Sequence, residues 1–188
     1  MKDSKKILLW FFISIILFSS FLLLKVIVRT MENKEFLKSA YMVATKDENN
    51  NKISFYEINN RKKARKINKI EYVENDMFYL NNCFDSYSLQ TGTQNSFLED
   101  SCKVVDKNNN TIEYNDEIKN IIILISKLDH PILSSKVLDV NGKYFVVVEF
   151  NVNLWSPYKL YKFEDGKLKH IITFNGEEVI YIKETNIN

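Results

Sequence analysis

The chain has 188 residues, 45% of them hydrophobic and 13% aromatic, with 4 Gly, 2 Pro and a formal charge of +2. That composition excludes a disordered or low-complexity polymer and fits a packed domain. The charge is uneven: outside residues 1–30 and the run 61–69, 15 basic residues stand against 23 acidic ones. A body of that sign excludes general nucleic-acid binding, which needs a broad basic face.

The first predicted element is an apolar helix over 7–28. Between Ile7 and Leu24 no residue is charged, and all but Trp10 and three serines are Leu, Ile or Phe. Each of those favours insertion by roughly 0.3–0.6 kcal/mol. Extended to Val28 the helix is about 33 Å long, against a hydrocarbon core of about 30 Å. Ser14, Ser19 and Ser20 can bond back to helix carbonyls, and Lys25 near one end can snorkel. A cleaved signal peptide fits less well. Cutting after Ser20 puts Phe18 at the third position before the cut, and cutting after Ala40 puts Lys38 there, where small residues are needed. The chain therefore reads as a short tail (1–6), a single-pass transmembrane signal-anchor (7–28), a juxtamembrane stem that continues the helix (29–39) and one β-rich domain (40–188). Lys2, Lys5 and Lys6 precede the span while Lys25, Arg29, Lys34 and Lys38 follow it, so the positive-inside count is nearly balanced. The short basic tail has the form of a signal-anchor n-region, and long domains translocate largely regardless of charge. Both considerations place the body outside the cytoplasm.

In the body, strands are expected over 40–44 and 53–58 across the turn at Asn49, Asn50 and Asn51. The basic run 61–69 reads as a loop. Ile70 and Tyr72 alternate with charged residues as a half-buried strand does, and 77–80 forms another strand. Residues 87–95 read as a loop, and 103–105 and 111–114 as strands around a second Asn-rich turn. Ile118, Ile121, Ile122 and Ile125 fall at i, i+3, i+4 and i+7, the stripe of an amphipathic helix. Asn115 can cap it, Asp116 and Glu117 suit its amino end, and Pro131 stops it shortly after Leu128. Strands over 136–140, 143–152, 159–163, 167–174 and 177–183, separated by Asn141-Gly142, Asp165-Gly166 and Asn175-Gly176, read as an antiparallel meander. The fold class is α+β, mainly antiparallel sheet with one packed helix.

Few residues suggest chemistry. Cys83 and Cys102 either pair, closing a loop of about 20 residues worth roughly 3 kcal/mol in the chain-entropy model, or stay as thiols. Two Cys and the distant His130 and His170 lack the close-spaced pairs of a structural zinc site. Asp106, Asn108, Asn110 and Glu117 can be laid over a calcium loop, but Thr111 stands where the sharp turn needs Gly. No metal or cofactor is implied. Arg61, Lys62, Lys63, Arg65, Lys66 and Lys69 form the sharpest electrostatic feature. They can contact anionic lipid or a wall polymer, or simply solvate a loop. Trp155 and Tyr158, in the interruption 154–158, can grip a partner if exposed, or fold back over a sheet end. The functional expectation is a non-enzymatic, membrane-tethered, extracytoplasmic binding protein with a protein partner at the cell surface, in an immunity-type, accessory-subunit or sensor role. The alternative is a structural envelope protein holding anionic polymer or lipid through 61–69, and the third reading is a hydrolase built from distant carboxylates.

Overall fold

A computed structural model describes residues 2–36, 39–89, 92–152 and 156–185. The chain divides into two units, Met1–Ser39 and Ala40–Asn188. The first is a single helix, α1 (Lys2–Phe36). Its stretch Ile13–Thr30 is long and apolar enough to cross a membrane, and none of it is buried. Ser19 and Ser20 donate to the carbonyls of Ile15 and Ile16, each at 2.8 Å, and Thr30 does the same to Val26. The hydroxyls are thus satisfied within the helix.

The second unit is α+β and mostly antiparallel. Its elements are β1 (Ser39–Asp47), β2 (Ile53–Asn59), β3 (Ala64–Ile67), β4 (Asp76–Asn81), β5 (Phe84–Leu89), β6 (Gly92–Phe97), β7 (Lys103–Val105), α2 (Asp116–Ile125), β8 (Ile132–Val140), β9 (Lys143–Phe150), β10 (Pro157–Glu164), β11 (Lys167–Asn175) and β12 (Glu177–Glu184). They form a four-stranded sheet, β12-β1-β2-β3, a six-stranded sheet, β11-β10-β9-β8-β4-β7, and the hairpin β5-β6.

The six-stranded sheet is the middle layer, and alternation along β9 shows why. Phe145 and Val147 meet Val43, Ile58, Val179 and Ile182 of the four-stranded sheet. Val146, Val148 and Phe150 point the other way, onto Ile118, Ile121, Ile122 and Ile125 of α2. Burial on both faces explains the nearly unbroken apolar run of β9. On the outer face of the four-stranded sheet lie Ala44, Phe55 and Ile180, covered by Ile67, Ile70 and Tyr72.

Asn115 Oδ1 accepts from Ile118 N at 2.9 Å, capping α2 as its sequence predicts. The helix stops at Ile125, a turn earlier than expected, where Leu128 N bonds to Ile125 O at 3.0 Å and draws the chain in. Asn141-Gly142 and Asp165-Gly166 all carry positive φ, making the two-residue hairpin turns that join β8 to β9 and β10 to β11.

Several expectations need correction. Residues 68–75 form no strand: Ile70 and Tyr72 do alternate inward, but as side chains laid over a sheet face, with no ladder beneath them. Residues 111–114 contribute one bridge, Thr111 to Val105. The expected loop at 87–95 lies within the β5–β6 hairpin, whose backbone pairs along its length without an apolar alternation to announce it. The basic run is not wholly loop, since its centre is the edge strand β3. Finally, β12 leaves the meander after Gly176 and pairs with β1, which lets Val179 and Ile182 fill the space between the sheets.

Candidate functional site

The turn from β2 to β3 is organised by one side chain. Asn59 Oδ1 accepts from the backbone N–H groups of Arg61 and Lys63, both at 3.0 Å, while Lys62 N donates to Asn59 O at 3.0 Å. This Asx-type geometry forces Lys62 into the left-handed region at φ 61°. Beyond the turn, register scatters the basic run over both faces of the hairpin. Arg65 stands opposite Glu57 and pairs with it at 2.7 Å. Lys66 stands opposite Tyr56, its Nζ 5.9 Å from the ring centre and donating to Ser54 Oγ at 2.9 Å. Lys69 lies beside Ile53, Phe55 and Tyr72 in a shallow apolar hollow. Arg61 and Lys63 are exposed at the turn. The six basic residues therefore do not make one continuous surface.

Lys62 enters a cavity of about 150 Å³ where the start of β1 and the β2–β3 turn meet β10 and β11. Lys162, Glu164, Lys169 and His170 line it from the other side, with Tyr41 and Asn59. Lys162 bonds Glu164 at 2.8 Å and Glu184 at 2.9 Å, and Lys169 bonds Glu164 at 2.7 Å and Asp165 at 3.1 Å. Hydrogen bonds from Lys162 and Lys169 hold the Glu164 carboxyl down at about 2. Burial lowers the His170 imidazole, and the charges of Lys62 and Lys159 lower it further. Its Nε2 lies 3.0 Å from Thr173 Oγ1. Asn59 itself is 3% exposed, and its Nδ2 has no hydrogen-bond partner among the described residues.

The other sequence candidates are dispersed. Cys83 and Cys102 are joined in a disulfide at the base of the β5–β6 hairpin. Tyr158 is not an exposed loop residue: it belongs to β10, is 4% exposed, and donates its hydroxyl to Glu48. The apolar space between the sheets takes its ring. Trp155 lies outside the described residues. Asp106 is occupied within its own turn, accepting from Asn108 N at 2.8 Å, Asn110 N at 2.9 Å and Asn110 Nδ2 at 3.0 Å. These bonds explain its lowered pKa and leave an ordinary Asx turn where a calcium loop could be drawn. Among the described residues no three His, Cys, Asp or Glu side chains gather as a metal site.

A second, open groove of about 990 Å³ runs beside β12, between 71–76 and the β8–β9 turn. It carries Glu71, Glu74, Asp76 and Asp139 against Lys183. Asn75 Oδ1 accepts from Ile182 N at 2.8 Å and so blocks part of that strand edge.

Sequence reasoning found Lys62 through charge clustering. It missed Asn59, Lys162, Lys169 and Glu164, which only the packing of the two sheets brings together. The Asn59-Asn60 pair ahead of the run signals a turn, but nothing in it points to β10 or β11. No protein-family model, curated protein or solved structure matches the chain.

Proposed function

We propose that this protein is a membrane-tethered, non-enzymatic binding protein, anchored by residues 7–28 with its β-rich body outside the cytoplasm. The Cys83–Cys102 disulfide carries the reading. A structural disulfide persists in an oxidising compartment, so its place in the body favours the outward orientation that the balanced flanking charges leave nearly even. The exposed, apolar stretch Ile13–Thr30 supports the anchor, since a helix apolar on every side needs either a protein core or lipid around it. The protein's role would be that of an immunity-type protein, an accessory subunit or a sensor, engaging a protein partner at the cell surface.

Orientation is testable because the native cysteines are paired and do not compete for thiol reagents. With Ser4→Cys and Asn108→Cys introduced separately, a membrane-impermeant maleimide applied to intact cells is expected to label position 108 only. Labelling of position 4 alone would overturn the outward body.

A second reading is favoured by Lys62 at the basic turn: a structural envelope protein that holds anionic polymer or lipid. Salt-sensitive binding to anionic vesicles, without a stoichiometric protein partner in membrane extracts, separates it from the first.

A further inference from the structure

We propose that copies of this chain associate side by side in the membrane, the basic β2–β3 edge of one body docking against the acidic groove beside β12 of the next. The inference rests on the membrane-tethered reading, but not on which side of the membrane the body faces.

The strand order β12-β1-β2-β3 puts the two features at opposite edges of one sheet. The basic residues of 61–69 are scattered over both faces of their hairpin, yet all belong to this one edge, and no acidic residue lies among them. Glu57 answers Arg65, while Lys62 and Lys69 form no ion pair among the described residues. At the other edge Glu71, Glu74, Asp76 and Asp139 stand against Lys183. None of these four carboxylates forms an ion pair among the described residues. Asp76 and Asp139 face each other directly across β4 and β8, where like charges repel, and a cation from outside relieves that repulsion. Val73, in the same groove wall, is 86% exposed, more than any other large apolar side chain described. It offers apolar area that a neighbour can cover.

The two edges also lie at one height. Tyr41 pairs with Glu184 at the end of β12 and shares a cavity wall with Asn59 and Lys62. The basic turn and the last residues of β12 are therefore at the same end of the sheet. Ile182 and Lys183, just before Glu184, line the groove. Copies held in one bilayer by the same anchor face the same way, so a sideways shift along the sheet brings unlike edges together. Like edges would set basic against basic or acidic against acidic, which selects the head-to-tail arrangement. Asn75 already takes Ile182 N, so side chains make the contact and the strand ladder is not continued. A heterologous contact of this kind builds a row or a ring of copies.

The test is cross-linking in isolated membranes, where the paired native cysteines do not compete for thiol reagents. Copies carrying Ala64→Cys, on the exposed edge of β3, are co-expressed with copies carrying Val73→Cys, and a short flexible bis-maleimide is added. The mixed pair is expected to give several times more cross-linked dimer than either variant gives with itself. Glu71→Lys with Glu74→Lys in the Val73→Cys copy should lower the mixed product by about fivefold or more. Lys62→Glu with Lys63→Glu in the Ala64→Cys copy should then restore it, which also shows that the exchanged variants fold. A mixed product no greater than the self-products would overturn the contact, and so would a loss that the charge exchange fails to restore. Release of the protein by alkaline carbonate would defeat the tethered reading and this arrangement with it, whereas retention without the mixed product defeats the side-by-side contact alone.

Discussion

Lys136 shows at residue scale how the two sheets are joined. Its side chain is 5% exposed and crosses from β8 to Glu178 on β12, 2.5 Å away. Burial pushes its ammonium below the ordinary lysine range against the pull of Glu178 and Glu74. Removing the acid alone leaves a charge in largely apolar surroundings. Glu178→Gln is therefore expected to cost about 2–3 kcal/mol, toward the low end for a buried pair because Glu178 is itself one-third exposed. Lys136→Met removes both the desolvation cost and the attraction, and should stay within about 1 kcal/mol of wild type. The pH dependence has a definite sign. A lysine whose folded pKa lies below its unfolded value binds more protons when unfolded, so stability rises with pH from the depressed pKa toward about 10.5. Urea midpoints near pH 7 and near pH 10 measure this, and the deficit of Glu178→Gln should shrink at the higher pH. Equal losses from the two substitutions would show that the ion pair, and not lysine burial, governs the contact. None of this is visible in sequence, where Lys136 merely opens an expected strand.

At the scale of elements, the β5–β6 hairpin is the part held least by its own apolar content. Phe84 and Phe97 face each other at its base and pack on the α2 side of the core. Leu98 N donates to Cys83 O at 2.9 Å, and the disulfide closes the same end. Asn95 then fastens it to the loop after α2, donating from Nδ2 to Leu128 O at 2.7 Å and His130 O at 3.0 Å. Replacing both cysteines by serine is expected to cost about 3 kcal/mol for a loop of about 20 residues. Hydrogen exchange should show that loss as reduced protection in β5 and β6, with β8 and β9 still protected; uniform loss would mean that the hairpin and the sheets open together. The same element marks the limit of sequence reading. The helix α2 is legible because its isoleucines, its cap and its buried face agree, and β8 to β11 are legible because Asn141-Gly142 and Asp165-Gly166 dictate tight turns. Pairing of Ser86 with Asn95 leaves no periodic trace. The segment 68–75 has the period of a strand because one side of it covers a sheet, which periodicity alone does not distinguish from pairing. Lys62 could be picked out by its charge, whereas the place of Asn59 in a cavity wall shared with β10 and β11 depends on how the two sheets pack.

At the scale of the whole molecule, tyrosines sample every layer of the body. Tyr158 lies in the core between the sheets, Tyr161 in the core under α2, and Tyr181 against the outer cluster of the four-stranded sheet. Burial pushes all three hydroxyls upward, Tyr161 to about 12 with a further push from Asp129. Tyr41, Tyr56 and Tyr79 are raised as well, again first by burial. A tyrosine whose folded pKa lies above its unfolded value contributes stability that is fully present below the unfolded value of 10.0 and is lost as pH climbs through the folded one. Because the affected groups sit in separate layers, their ionisation should unfold the body as one unit and not loosen a single face. The tyrosine contribution to stability is therefore expected to hold steady up to about pH 10 and then fall steeply toward pH 12. Tyrosinate absorbance and far-UV circular dichroism are followed together in the protein in micelles, and the absorbance of these six of the ten tyrosines should change in one transition with the circular dichroism. Tyr161→Phe removes one hydroxyl that resists ionisation and should move that transition to higher pH. If the absorbance of more than four of the ten tyrosines instead rises near pH 10 while the β signal is intact, some of these six hydroxyls are open to solvent, and the layered core is wrong at those positions.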